Sequence, residues 1–402
     1  MREYAVVLLI AALVTYLATP VVRMAAIRLR MMAAPRDRDV HVIPTPRGGG
    51  VAMYLGVSAA ILVATRLPVL HRTFDDSQTA GVLIAGGLIC LLGVLDDRWG
   101  LDALTKLTGQ IAAAGVMVLF GVQLLYLFLP VADIGTLILG PSVGVPATIL
   151  LTVLTVNALN FIDGLDGLAA GVSAIAALAF FAYSYHLGLV GYDDVASAPA
   201  LITVVLAGAC LGFLPHNFSP ARIFMGDSGS MLVGLMLSAA AVSATGQADP
   251  QTFDSAATLL PLALPLLVPI AILFIPFVDL LMAVVRRTRK GRSPFSPDKM
   301  HLHHRLLTIG HSHRRAVLVM YFWAALLSFG AVTLSITGGR SELVIAVGVL
   351  LVVGVVVVLA PRARRAAREA RAAELLAQRE RSRADHPSAR AVRPEPAQKV
   401  LR

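Results

Sequence analysis

The sequence predicts an all-α polytopic membrane protein of about 11 transmembrane helices, with its N-terminus outside and its C-terminus in the cytoplasm. Three observations carry this. Of 402 residues, 57% are hydrophobic and only 14% charged, with a mean hydropathy of +0.77. A soluble domain runs nearer about 45–50% apolar and about 25% charged, because it must cover its surface. The apolar residues also gather in runs, and at about 20 residues a span eleven of them take roughly 220 residues, matching the apolar share. Finally, 30 of the 34 Lys and Arg fall on one side of the membrane once the spans are drawn. A soluble enzyme, a disulfide-stapled secreted domain and a disordered regulator are excluded.

Taken in order, the runs lie near Tyr4–Val22, Gly49–Val63, Thr79–Leu95, Leu107–Leu125, Val145–Phe161, Leu168–Tyr185, Ala200–Leu214, Met231–Ala244, Leu259–Val285, Ala316–Ile336 and Leu343–Ala360. The first has no small-residue cleavage site behind it and reads as a retained helix. Between the fourth and fifth, Phe128–Pro146 is rich in Gly, Pro and β-branched residues and reads as a loop or hairpin. Cys90 and Cys210 sit inside apolar runs and read as packing residues rather than a disulfide or metal pair. Residues 1–361 form the expected membrane domain. Residues 362–402 are a basic cytoplasmic tail, an Ala/Arg/Glu helix running into a Pro-containing disordered stretch, suited to anionic lipid or to solvent. No nucleic-acid partner is expected.

The polar motifs collect on the positively charged side, where the positive-inside rule puts the cytoplasm. They are Pro44-Thr45-Pro46-Arg47-Gly48-Gly49-Gly50, Asp96-Asp97-Arg98-Trp99-Gly100-Leu101 with Lys106 following, Asn157 through Gly167, Phe224 through Ser230, and His301-Leu302-His303-His304-Arg305. Five loops on one face imply one site. A carboxylate at a membrane boundary is costly unless it is paired, hydrated or bound to metal. Helix ends seeking water would account for one or two. Asp96, Asp97, Asp163, Asp166 and Asp227, interleaved with Asn160, Lys106 and three histidines, instead imply a cation and a phosphorylated ligand. Oxygen donors favour Mg²⁺, with Mn²⁺ as its substitute.

Spacing divides the labour. Adjacent helical side chains diverge by about 100°, so Asp96 and Asp97 should not share one metal. Asn160, Asp163 and Asp166 are three apart and can share a face. Asp227, flanked by Gly226 and Ser228, sits where phosphate could approach backbone closely. The histidine loop has three readings: zinc, a solvated basic loop, or phosphate and sugar binding beside Arg305, the last preferred. Arg47 beside three glycines suits a head group or nucleotide phosphate, and equally an ordinary positive-inside turn.

Together the Asp-Asp-Arg-Trp-Gly-Leu, Asn-x-x-Asn-x-x-Asp-Gly-Leu-Asp-Gly-Leu, Met-Gly-Asp-Ser-Gly-Ser and His-x-His-His-Arg-Leu stretches resemble the polyprenyl-phosphate N-acetylhexosamine-1-phosphate transferases, from about Pro44 to Arg315. The resemblance implies a polyprenyl phosphate acceptor attacking the sugar-bearing phosphate of a UDP-sugar and releasing UMP. It also implies Asp96 and Asp97 as a catalytic pair and Asp227 with Asn160 as Mg²⁺ ligands. Arg47, Lys106, Asp163, Asp166, His301, His303, His304 and Arg305 would then bind substrate. The His-x-His-His form followed by arginine resembles the branch that uses UDP-N-acetylglucosamine. The alternative branch carries the muramoyl-pentapeptide donor. The Arg/Ala-rich composition points to a bacterial source and so to its plasma membrane. The product would then start a lipid-linked cell-wall or surface glycan, with a second copy of the chain as the protein partner allowed for. A cation transporter is the competing class. It predicts acids at mid-span or on both faces, and Asp279 is the residue it can claim.

Overall fold

The computed structural model describes residues 1–33, 44–75, 77–128, 136–190, 196–246, 270, 274–289, 291, 312–337, 344 and 347–350. Met1–Gly354 form one compact unit, and Val355–Arg402 a second that lies outside the described residues, as does the tail expected at 362–402.

Helix α1 (Arg2–Arg28) continues through Pro20. It turns Leu9, Leu13, Leu17 and Val21 outward and keeps Val7, Ala11, Thr15 and Thr19 inside. Small residues inward and large apolar ones outward suit a helix that packs by close approach in lipid. A two-residue antiparallel pair follows, β1 (Met32–Ala33) against β2 (Thr45–Pro46). Next come α2 (Gly49–Ala64), a 3₁₀ turn at Leu70–Phe74, α3 (Gln78–Trp99) and α4 (Ala103–Leu119). Asp102 caps α4, its carboxylate accepting the Leu104 and Thr105 N–H at 2.9 and 3.0 Å and the Thr105 hydroxyl at 2.6 Å. That hydroxyl, with the backbone donors, holds the Asp102 carboxyl below its ordinary range.

The Gly- and Pro-rich connection expected as a loop or hairpin over Phe128–Pro146 is a hairpin only as far as Ile138. Residues 141–146, with Pro141 at the first helical position, are already helical. Strand β3 (Tyr126–Phe128) pairs antiparallel with β4 (Thr136–Ile138), Leu127 opposite Leu137. Helices α5 (Pro141–Ile162), α6 (Leu168–Leu189), α7 (Ala198–Asn217) and α8 (Gly226–Gly246) follow, then α9 (Phe274–Arg289) and α10 (His313–Ile336).

Among the described residues, α1, α3, α5, α6, α7, α8 and α10 are long and apolar enough to cross a membrane. The chain is a mostly helical polytopic membrane protein. Helices α2 and α4 are shorter, at 16 and 17 residues, and reach about 25 Å against a hydrocarbon core of about 30 Å. Of the last predicted runs, residues 259–269 and 351–360 lie outside the described residues.

Helix α8 is the centre of the bundle. The whole of its apolar window is buried, and α2, α3, α5 and α7 pack around it. Its fit rests on missing side chains. A Cβ on Gly50 of α2 would lie 2.2 Å from the Gly229 nitrogen, and one on Gly93 of α3 would lie 2.3 Å from the Ser228 Cα. Two helices therefore press backbone to backbone on the first turn of α8.

Candidate active site

That first turn carries Asp227, and three other helix ends meet it. Lys106, one turn into α4, places its Nζ 2.8 Å from Asp227 Oδ2 and 2.5 Å from Asp96 Oδ2 at the end of α3. Asp96 is 8% exposed and is steadied by its other oxygen, which accepts the Leu101 N–H at 2.7 Å. Asn160, in the last turn of α5, donates from Nδ2 to Ser230 Oγ at 2.9 Å. The Asp96 and Asn160 side chains both act on the Asp227 carboxylate.

Asp97 points elsewhere, as its divergence from Asp96 predicts. Its Oδ1 accepts the Asp227 N–H at 3.0 Å, and its Oδ2 accepts the Ser228 N–H at 3.2 Å and the Ser228 hydroxyl at 2.9 Å. Asp97 is thus the N-cap of a helix 130 residues away in sequence. Gly226 turns at φ +70° to admit it, and a Cβ there would lie 2.4 Å from Asp97 Oδ2. The reading of this backbone as a phosphate cradle is revised here. The N–H groups of Asp227 and Ser228 already bind a carboxylate, which answers the positive end of the helix dipole.

The two aspartates should therefore separate in experiment. Asp97→Asn turns an amide NH₂ toward backbone donors and should lower stability by about 1–2 kcal/mol, the scale of a lost cap. Asp96→Asn should leave the melting temperature nearly unchanged while reducing kcat, since it loosens Lys106. Equal melting shifts in the two purified variants would contradict this division.

Arg47 lies between β2 and α2, just after the strand ends at Pro46. The Gly49 and Gly50 N–H groups donate to the Phe224 and Met225 carbonyls at 3.0 and 3.1 Å, and the Phe224 N–H donates to the Pro46 carbonyl at 2.8 Å. The glycine run is thereby stitched to the segment leading into Asp227. Arg47 faces Asp163 electrostatically, as do Asp227, Asp97 and Asp166. Enclosure at this corner, and then the Asp227 and Asp97 charges, push the Asp163 carboxyl up to about 7 against the pull of Arg47. Asp166, buried to 4% exposure, accepts the Ala221 N–H at 3.0 Å on Oδ2, and its own N–H donates to His313 Nε2 at 3.1 Å. Gly167 donates to Asn217 Oδ1 at 3.0 Å, and the Tyr321 hydroxyl donates to its carbonyl. Helices α7 and α10 thus brace the turn carrying Asp163 and Asp166.

One corner therefore holds Asp96, Asp97, Lys106, Asn160, Asp163 and Asp227, with Arg47 and Asp166 at its edge. His301, His303, His304 and Arg305 lie outside the described residues, as does the side chain of Asp279. Sequence reasoning assigned no role to Ser228, Ser230, Gln110, Asn157, His313 or Arg287. Arg287 of α9 is 4% exposed, with its guanidinium 5.1 Å from the centre of the Phe161 ring, next to Asn160. Ser228 and Ser230 stood inside a quoted motif; nothing local marks Gln110.

Among the described residues no group of three or more His, Cys, Asp or Glu is arranged to hold a metal ion by itself. The oxygen donors that the resemblance assigns to a cation are the Asp227 carboxylate and the amide of Asn160 beside it. That set fits Mg²⁺, which takes one or two carboxylates and fills its shell with substrate phosphate and water. Asp96, Asp97, Asp163 and Asp227 against Lys106 and Arg47 also leave the corner net negative, which a divalent cation offsets.

Fold and site together define a polytopic membrane protein whose helix ends converge on one acid–lysine centre. The family model for glycosyl transferase family 4 matches residues 79–245, which span the acidic pair, Lys106, Asn160 and Asp227. The chain belongs to this family. It is 53% identical over 370 residues to decaprenyl-phosphate N-acetylglucosaminephosphotransferase of Mycolicibacterium smegmatis, covering 91% of this chain and 90% of that protein. It is 52% identical to the protein of that name from Mycobacterium tuberculosis, covering 88% of each. It is 27% identical to undecaprenyl-phosphate alpha-N-acetylglucosaminyl 1-phosphate transferase of Escherichia coli, over 76% of this chain and 77% of that protein.

Proposed function

We propose that this protein transfers N-acetylglucosamine 1-phosphate from UDP-N-acetylglucosamine to a membrane polyprenyl phosphate. The observation that carries the reading is Lys106, held between Asp96 and Asp227 at the corner where Asn160 ends α5. The similarity to named N-acetylglucosaminephosphotransferases over nearly the whole chain supports it. In the reaction an acceptor phosphate oxygen forms a bond to the sugar-bearing phosphorus. The bond from that phosphorus to the bridging oxygen breaks, and UMP leaves with the electron pair.

Both reactants are anionic, so the chain must neutralise charge more than it must create a nucleophile. The acceptor is already ionised at neutral pH, and a base adds little. Lys106 supplies a cation at a fixed point, and Arg47 a second near the glycine run. Asp97 keeps Asp227 in place through the α8 backbone, and Asp96 keeps Lys106 aimed. Mg²⁺ bound by Asp227 and Asn160 would supply Lewis-acid charge neutralisation of the transferring phosphoryl group. Asp163 and Asp166 would serve the nucleotide-sugar side, and the motif resemblance gives His301, His303, His304 and Arg305 the same role. The prenyl chain, buried along apolar helices, holds the acceptor in line by binding energy remote from the chemistry.

The test is transfer in detergent with polyprenyl phosphate and two competing labelled donors, UDP-N-acetylglucosamine and the UDP-muramoyl-pentapeptide. Product should form from the first, cease with EDTA, and return with Mg²⁺ or Mn²⁺. Preferential use of the pentapeptide donor sinks the branch assignment, and full activity in chelator sinks the metal.

Eleven spans, with the N-terminus outside and the site and C-terminus in the cytoplasm, complete the proposal on the strength of the charge partition. A fusion after Arg402 to a reporter active only in the cytoplasm should give signal. A well-expressed, silent fusion contradicts the orientation.

A further inference from the structure

One turn deeper in the bundle lies a second polar layer. Gln110 of α4 is 4% exposed, and its Oε1 accepts from Asn157 Nδ2 of α5 at 2.7 Å. The same amide also donates to the Val153 carbonyl at 2.8 Å. On its other side Gln110 Nε2 reaches Met231 Sδ of α8 at 3.5 Å. Gln110 is four residues beyond Lys106, Asn157 three before Asn160, and Met231 four beyond Asp227. On a helix those separations place each member about one turn, some 5 Å, from its site residue and on the same face.

We infer that Gln110, Asn157 and Met231 form a positioning layer that sets the register of α4, α5 and α8, and so the placing of Lys106, Asn160 and Asp227 against the transferring phosphate. A buried primary amide and a half-buried one between packed helices are costly unless they pair, so each specifies where the other must stand. A slide of either helix by one residue, about 1.5 Å, breaks a 2.7 Å bond and carries Lys106 or Asn160 away by the same amount. Interhelical hydrogen bonds of this kind add little to helix association on average, which leaves register as the property they control. Neither side chain is charged, so the layer acts on geometry and not on the field at the phosphate.

The inference rests on the proposed transfer reaction, and the test separates the two. Full-length Gln110→Asn, Asn157→Gln and the double swap are assayed in detergent with UDP-N-acetylglucosamine and polyprenyl phosphate, with melting temperatures measured alongside. Each single change alters the combined reach between α4 and α5 by one methylene, and the swap restores it. Each single variant should lose about 10–100-fold in kcat, with the donor KM changed less than about threefold, since misplacement by about 1 Å costs that order. The swap should recover most of the loss. Wild-type kcat in both singles, or a swap as impaired as the product of the singles, overturns the layer alone. A wild-type protein inactive with this donor overturns the transfer reading, and the layer with it.

Discussion

Asp227→Asn is expected to lower kcat by about 10³-fold, near 4 kcal/mol at about 1.4 kcal/mol per tenfold, while the protein stays folded in the membrane. The carboxylate is the meeting point of Lys106, the Asn160 amide and Asp96. Asparagine keeps the shape, and the Asp227 N–H still reaches Asp97, so the α8 cap is retained. What is lost is one negative charge, and with it the proposed metal ligand and the anchor of the lysine. Lys106 then pairs with Asp96 alone. Steady-state kinetics across a Mg²⁺ titration check this. A variant within tenfold of wild type at saturating Mg²⁺ would remove Asp227 from the reaction.

The second large effect needs no change in chemistry. Gly50→Ala should destabilise by about 3 kcal/mol or more and abolish transfer, at the upper end of what overpacking costs. The new Cβ would meet the Gly229 nitrogen and the Ser228 carbonyl carbon, both at 2.2 Å, and backbone atoms cannot rotate away. Either α2 or α8 must shift, and α8 carries Asp227 with it. Gly115→Ala is the control, because a Cβ there meets nothing within 4 Å. Thermal unfolding and turnover of the pair should diverge sharply; a Gly50→Ala protein with wild-type melting and activity would show that the contact is not tight.

The boundary acids were legible in the sequence because charge beside a long apolar run has few explanations. Asp96, Lys106 and Asp227 stood out on that ground and Asn160 through the motif resemblance, and they meet. The hairpin between β3 and β4 was legible from Gly, Pro and β-branched residues. The start of α8 was not. Read alone, Gly226 to Ser230 looks like loop, and the expected run began at Met231. The helix begins at Gly226 because its cap comes from Asp97 on α3. A cap supplied across the bundle leaves no mark on the residues it starts. Gln110 was hidden for a related reason, since one amide in an apolar run says nothing of the partner it will find on another helix.

The cap from Asp97 also sets a timetable for biosynthesis. At about 5–20 residues per second, the ribosome adds the 130 residues between Asp97 and Asp227 in roughly 7–26 s. During that interval Asp97 waits at the membrane boundary without the backbone donors it will finally hold. Lys106, only ten residues after Asp96, emerges almost at once and can pair with an acid there. The early pair lends the end of α3 a counter-ion until α8 inserts among its neighbours. A nascent chain released before α8 carries Asp96, Asp97 and Lys106 but not Asp227, so the centre that joins them does not yet exist.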